Sequence, residues 1–248
     1  MQPGEVLGII PAFNEGQRID KVVRETLEHL PVLVIDDGSR DKTHQVAEQA
    51  GAQVIRQTPN QGKGIALRRG FAYALGSGYQ AVVTLDADGQ HDPAEIPTFL
   101  EAYQAGDPDL IIGRRNFREI PAIRRLANSL GRLSFSWAVG QQIDDNQSGY
   151  RLLNRRMMES VLSSQESGFE FEVEMIVICI QSDYRLVWVP IRTIYRDESS
   201  HIHPLQHILE FTRVVLQTRR RMKDVRTQYG GMGRNRNLKK FPILRIAP

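Results

Sequence analysis

Short runs of Val, Ile and Leu recur through the first half of the chain, and nearly all of them stop abruptly at a polar motif. Glu5–Ile10 ends at Pro11, Val32–Ile35 at Asp36-Asp37-Gly38-Ser39, Ala81–Leu85 at Asp86-Ala87-Asp88 and Asp109–Gly113 at Arg114-Arg115; Gln53–Arg56 is a fifth run. Runs this short and apolar read as strands covered on both faces. Helical periodicity fills the gaps. Glu15–Leu30 sets Ile19, Val22, Val23, Leu27 and Leu30 on one stripe, and Asp41–Ala50 opens on an acid and closes before Gly51. Asp92–Gln104 begins with Asp92-Pro93, a cap followed by Pro in the first turn. Such alternation predicts an α/β fold, a mostly parallel Rossmann-like sheet with helices on both faces and right-handed crossovers. Ligands of such sheets bind beyond the carboxyl ends of the strands, where these polar motifs lie.

The second half is less regular. Ile120–Val139 reads as a helix, Gln142–Arg151 as a polar loop, Glu170–Gln181 as a helix and Leu186–Val189 as a strand. Pro204–Lys223 reads as an amphipathic helix with Leu205, Ile208, Leu209, Thr212, Val215 and Leu216 along one broad face. Residues 224–248 lack periodicity and are expected to be flexible.

Composition narrows the classes. With 41% hydrophobic residues in a chain of 248, a substantial core can form. The single cysteine, Cys179, excludes an internal disulfide and a cysteine-rich zinc site, and its apolar surroundings predict an inert buried thiol. No run approaches the ~20 apolar residues that span a bilayer, and no signal peptide is evident at the start. From Thr218 to Pro248 ten Lys or Arg face one acid, Asp224, so the net charge of +3 divides into a basic tail and a mildly acidic body. The acidic body argues against a dedicated nucleic-acid protein, so no nucleic-acid partner is expected.

Thr84–Asp92 carries the strongest cluster. In Asp86-Ala87-Asp88, at a strand end, both carboxylates can reach one Mg²⁺ or Mn²⁺, which in turn can bridge diphosphate oxygens. Taken alone, the same motif is a solvated acidic turn. Asp36-Asp37-Gly38-Ser39 offers carboxylates to a base or ribose, or else a helix cap. Asn60-Gln61-Gly62-Lys63-Gly64 is a Gly-rich turn before a helix that presents N–H groups and Lys63 to phosphate, without full P-loop spacing. Asp144–Arg151 is a polar loop able to turn a carboxylate toward an acceptor, and His201 and His203 near Arg196 are either phosphate ligands or bystanders.

In order and spacing these motifs resemble the family-two inverting glycosyltransferases, in particular the dolichol-phosphate mannose synthase-like branch. The resemblance rests on Ile10–Glu15, Val34–Ser39, Asn60–Gly64, Leu85–His91 and Gln147–Arg151, across most of residues 5–200. It implies a GT-A catalytic domain over 1–203, with a nucleotide-binding half to about 115 and an acceptor half over 116–203, followed by the helix over 204–223 and the tail. It implies that Pro11, Phe13, Asn14, Glu15, Asp37, Gly38, Ser39, Lys63 and Asp86 serve the nucleotide, and that Asp86, Asp88 and Gln90 surround the metal. Arg115 and Arg124 would face the donor or acceptor phosphates, with Asp145, Ser148, Arg196, Ser200 and His201 on the acceptor side. Asp145, Asp88 and Arg115 are the catalytic candidates. The family often has Tyr in place of Phe13 and Phe in place of Tyr150, and many members have Lys where Ser200-His201 stands.

The implied reaction moves mannose or glucose, from GDP-mannose or UDP-glucose, to a polyprenyl phosphate by inverting displacement. Asp145 is the candidate base only where the acceptor is a hydroxyl. The expected place is the cytoplasmic membrane face, held peripherally through the helix and basic tail; a helix packed on the domain with solvated arginines is the alternative. A hydroxyl acceptor, a sugar-1-phosphate nucleotidyltransferase and a non-catalytic nucleotide-sugar binder are the rival readings. Pro11–Glu15 stands where a nucleotidyltransferase would carry its Gly-rich signature.

Overall fold

A computed structural model describes residues 5–115, 122–163, 170–192, 194, 212–213 and 215–222; of residues 122–129 and 170 it describes the backbone only. The five strands expected in the first half are present as β1 (Val6–Ala12), β2 (Val32–Asp36), β3 (Gln53–Arg56), β4 (Ala81–Thr84) and β5 (Leu110–Arg115). Between them run α1 (Ile19–Leu27), α2 (Thr43–Gln49), α3 (Lys63–Gly76) and α4 (Ile96–Gly106). Beyond β5 come α5 (Ala122–Val139), β6 (Arg151–Asn154), α6 (Arg155–Leu162), α7 (Glu170–Gln181) and β7 (Leu186–Ile191). One seven-stranded sheet, ordered β3-β2-β1-β4-β6-β5-β7, runs through both halves. Every pairing is parallel except the two made by β6, giving the mostly parallel GT-A architecture.

Alternation along the strands divides the core between the two sheet faces. Leu7, Ile9, Leu33 and Ile35 pack with Phe71, Phe135, Phe171 and Met157, beneath α3 and α5–α7. Val6, Ile10, Val32 and Val34 pack with Ile19, Val23, Ala47 and Phe99, beneath α1, α2 and α4. Successive residues of a strand point to opposite faces, so a continuous apolar run feeds both layers.

Several boundaries differ from expectation, each with a local cause. β1 continues to Ala12, through Pro11, whose register partner is Ile35; pairing with β4 has already ended at Ile9↔Thr84. The missing N–H of Pro11 falls on that vacated side and costs no ladder bond. α1 starts at Ile19 rather than Glu15, because Asn14 is left-handed (φ 58°) and the N–H groups of Glu15 and Gly16 go to Thr43 Oγ1 and Asp41 Oδ2. Its stripe buries Thr26 in place of the half-exposed Leu27. Asp92 caps the chain as expected, by accepting from the Ala94 N–H, but the first turn is 3₁₀ and the α-helix begins at Ile96. β3, at the sheet edge, is covered on neither face completely.

The polar loop of the second half ends in β6, a strand that periodicity misses. It is four residues long and opens on Arg151, a buried arginine, which breaks any apolar pattern. Of the long C-terminal helix, 212–213 and 215–222 are helical, and 204–211, 214 and 223 lie outside the described residues. Val215, Thr218 and Met222 are its buried face, whereas Thr212 and Leu216, expected on that face, are exposed. Cys179 is fully buried, and burial raises its thiol, as expected of an inert position.

Candidate active site

The carboxyl ends of β1, β2 and β4 are tied to one another by side chains from the motifs. Asp36 Oδ1 accepts from the Ser39 N–H at 3.0 Å, and Ser39 Oγ accepts from the Asn14 N–H at 2.9 Å. Asn14 Oδ1 in turn accepts from the Arg40 N–H at 2.8 Å, so the turns after β1 and β2 are one unit. Gly38 is left-handed (φ 77°), and a Cβ there would lie 2.9 Å from the Asn60 backbone N and 3.1 Å from the Gln57 carbonyl O. Conformation and space both demand glycine at that point. Phe13, between β1 and the Asn14 turn, is 44% exposed.

Asp37 has a definite local job. Its Oδ1 accepts from Gln57 Nε2 and, at 2.8 Å, from the Gln61 N–H, and its Oδ2 accepts from the Gly62 N–H at 2.8 Å. It therefore holds the Gly-rich turn that starts α3 and aims Lys63 inward. Lys63 Nζ lies 2.5 Å from Asp86 Oδ1 and 2.8 Å from Glu172 Oε1 on α7. Burial pushes the Lys63 ammonium down, yet the two carboxylates together raise it above its ordinary value. Burial alone would raise the Asp86 carboxyl, but the charge of Lys63, then of His91, draws it down to about 2. The Asp86 N–H donates to His91 Nδ1 at 3.1 Å, and burial lowers this imidazole below its usual value. Asp88 Oδ1 accepts from the Gln90 N–H at 2.9 Å, and the Gln90 carbonyl accepts from the Ile194 N–H at 3.0 Å.

The loop of the second half closes the site from the other side. Asp145 is 1% exposed, and Arg115 donates to it from two nitrogens, Nε to Oδ2 at 2.7 Å and Nη2 to Oδ1 at 3.0 Å. The Gln147 and Ser148 N–H groups also donate to Oδ1, at 3.0 and 3.2 Å. The Gly149 carbonyl accepts from Thr84 Oγ1 at 2.7 Å, and a Cβ on Gly149 would stand 2.8 Å from Asp86 Oδ2. The loop over 145–149 thus leaves no room for a side chain between Gly149 and the Asp86 carboxylate. Arg151 Nε donates to the Ser148 carbonyl at 2.8 Å and Nη1 to the Glu172 carbonyl at 2.6 Å; burial lowers this guanidinium to about 10. Ser148 Oγ, Asn146 Nδ2 and Arg151 Nη2 are buried with no hydrogen-bond partner among the described residues.

The structure thus brings Lys63, Asp86, Arg115, Asp145 and Ser148 to one sheet edge, with Asp88 and Gln90 on the turn beside Asp86. Arg124 falls in α5, where only backbone is described, and Arg196, Ser200 and His201 lie outside the described residues. Sequence reasoning missed Glu172. The available signal was the pair Glu172 and Glu174, both 7% exposed on an otherwise apolar helix, a placement that requires partners.

Asp86 and Asp88 offer the hard oxygen donors that suit Mg²⁺ or Mn²⁺. Among the described residues no group of three His, Cys, Asp or Glu can hold an ion unaided. That donor set fits a cation held by one or two carboxylates and completed by substrate phosphates, rather than an all-protein cage.

The chain is similar to known proteins. The chain is 32% identical over 201 residues to the polyprenol monophosphomannose synthase of Mycolicibacterium smegmatis, covering 75% of this chain and 76% of the relative. It is likewise 32% identical over 210 residues to the undecaprenyl-phosphate mannosyltransferase of Micrococcus luteus, covering 77% and 84%. Its fold matches a crystal structure of glucosyl-3-phosphoglycerate synthase from Mycobacterium tuberculosis in complex with Mn²⁺, uridine-diphosphate and phosphoglyceric acid. That match has a TM-score of 0.68 at 20% identity, over 87% of this chain and 77% of the other. Residues 9–162, from the Pro11–Glu15 turn through the Asp145–Arg151 loop, match the model of glycosyl transferase family 2, and the chain belongs to that family.

Proposed function

We propose that this enzyme transfers a hexose, mannose or glucose, from a nucleoside-diphosphate sugar to a polyprenyl phosphate with inversion. The observation that carries the reading is the junction at Asp86, where the Gly-Lys turn of the donor side and the Gly149 backbone of the acceptor side meet one carboxylate. A phosphate oxygen of the acceptor attacks the anomeric carbon, and the bond to the diphosphate breaks with its electron pair leaving on the nucleoside diphosphate. Lys63 and Arg115 are the cations that offset charge on that leaving group. Mg²⁺ or Mn²⁺, when bound by Asp86 and Asp88 with Gln90 beside them, would add Lewis-acid neutralisation of the same oxygens.

An acceptor phosphate is already anionic and needs no general base. The bidentate pairing of Asp145 accords with that, since the carboxylate is engaged in holding Arg115 and the 145–148 loop. Ser148 Oγ and Arg151 Nη2, buried without partners, suit the acceptor side. Phe13, Asn14 and Glu15 stand at the lip as the nucleoside seat, and Arg124, Arg196, Ser200 and His201 remain acceptor-side candidates by resemblance. Support for a lipid acceptor comes from the two relatives named for polyprenyl-phosphate substrates, and support for a divalent cation from the Mn²⁺-bound neighbour.

Work at the cytoplasmic face of a membrane, held peripherally, is part of the same reading. No helix among the described residues is long and apolar enough to cross a membrane. Leu130, Leu133 and Trp137 follow a three–four spacing along α5, and all are more than half exposed. The Arg219 guanidinium lies 4.8 Å over the Trp137 ring, and exposed Leu216 stands one turn before it. An apolar stripe rimmed by arginine suits an anionic leaflet.

The test is organic-phase extraction of label. Protein, Mg²⁺ or Mn²⁺, a short-chain polyprenyl phosphate and separate radiolabelled nucleotide sugars are combined. Metal-dependent label in the organic phase from one donor is expected; binding of nucleotide without such transfer from any donor overturns the lipid acceptor. Cosedimentation with phosphatidylglycerol vesicles should fall on Leu133→Glu/Trp137→Glu substitution, and unchanged cosedimentation removes α5 from the membrane face.

A further inference from the structure

Asp86, 28% exposed, is engaged from two sides. Lys63 Nζ stands on Oδ1 at 2.5 Å, and Gly149 leaves so little room that a Cβ there would lie 2.8 and 2.9 Å from the two carboxylate oxygens. The same ammonium is 2.8 Å from Glu172 Oε1, a residue beyond the family-matched segment and 7% exposed. Arg151, buried, donates to the main-chain carbonyls of Ser148 and Glu172, so one side chain fixes both the loop on Asp86 and the helix that presents Glu172.

We infer that Lys63 and Glu172 form a latch on the cation site, so that a divalent ion reaches Asp86 only together with the donor's diphosphate. The inference rests on the reading of Asp86 and Asp88 as cation ligands. An ammonium and a dication on one carboxylate weaken each other's hold, because their mutual repulsion at such range is several-fold larger than in bulk water. Lysine is suited to leave, being a point charge on a flexible four-carbon stem. It does not leave into solvent, since Glu172 keeps hold of it. When a diphosphate arrives it supplies the anion that replaces Asp86 for Lys63, and it also supplies the oxygens missing from a two-carboxylate cation site. Cation and nucleotide affinities are then coupled through Lys63, and Glu172 is the positioning residue that makes the exchange local.

Mn²⁺ binding to the full chain, followed by the electron paramagnetic resonance signal of free Mn²⁺, tests this without turnover. In the wild type, adding UDP or GDP should tighten Mn²⁺ binding by about ten-fold or more, a typical coupling between sites. Lys63→Met should tighten Mn²⁺ binding in the absence of nucleotide by about the same factor and shrink the coupling. Lys63→Arg, which keeps the charge, should leave nucleotide-free binding weak. Glu172→Gln should weaken nucleotide-free binding, because the ammonium is left to Asp86 alone, and should have no effect when combined with Lys63→Met. Thermal unfolding of each variant confirms that the comparison is made on folded protein.

Unchanged or weaker nucleotide-free binding in folded Lys63→Met overturns the latch. Asp86→Asn and Asp88→Asn separate this from the underlying reading. If they leave nucleotide-supported Mn²⁺ binding intact, the cation site itself is misplaced. If they abolish it while Lys63→Met changes nothing, the latch alone fails.

Discussion

Asp86 and Asp145 stand at the same sheet edge, each against a cation, and they are held in different ways. Asp145 is 1% exposed and receives a two-nitrogen guanidinium fork plus three backbone N–H groups, those of Arg115, Gln147 and Ser148. Asp86 keeps 28% of its side chain exposed, and its main partner is a lysine that it shares with Glu172. An arginine fork imposes direction and is replaced only at the loss of several bonds, whereas an ammonium is a point charge that can move between anions. On the latch proposed above, one corner of the site stays and the other exchanges partners.

The contrast is most exposed to test at Asp145. Asp145→Ala leaves Arg115 and two loop N–H groups without their acceptor and should lower stability by about 3 kcal/mol in urea unfolding. A loss under 1 kcal/mol would place Asp145 with Asp86 among the exchangeable groups.

The second effect is on acid stability. Asp86 falls from 3.8 to about 2 on folding. A lowered carboxylate stabilises above its unfolded value and loses that contribution as pH falls through the folded one, here between about pH 4 and pH 2. The contribution is about 2 kcal/mol. Urea unfolding across that window should show a shallower decline in Lys63→Met than in the wild type. Identical slopes would mean that Lys63 does not hold Asp86.

The smallest expected stability change is at Gly149→Ala. The added methyl meets the Asp86 carboxylate at 2.8 Å and should cost about 1 kcal/mol. Transfer activity should fall by much more than that loss implies, because the carboxylate itself is displaced. Full activity in the folded variant would show that the acceptor loop does not set the position of Asp86.

Strand position in the first half was legible because β1, β2, β4 and β5 are buried on both faces, which forces unbroken apolar runs. The ends of those runs named most of the site for the same reason, since polar groups tolerated beside a core gather where strands stop. β6 was not legible. Its four residues begin with an arginine whose burial is made tolerable by main-chain carbonyls at Ser148 and Glu172, partners 3 and 21 residues away. The helix over 215–222 was legible as a helix but in its packed face only at Val215, because Thr218 and Met222 and their neighbours Thr212 and Leu216 give two overlapping stripes of similar polarity.

The sequence by itself determined the alternating α/β order, the acidic strand ends, the Gly-Lys turn and the family they spell, because periodicity and local motif chemistry act over a few residues. Only the tertiary structure decided who holds whom: that Lys63 lies between Asp86 and Glu172, that Asp145 grips Arg115, and that Gly149 lies on Asp86. Those pairings span from 23 to 109 positions of chain, and charge at that separation in sequence acquires a partner only when the sheet brings the ends of its strands together.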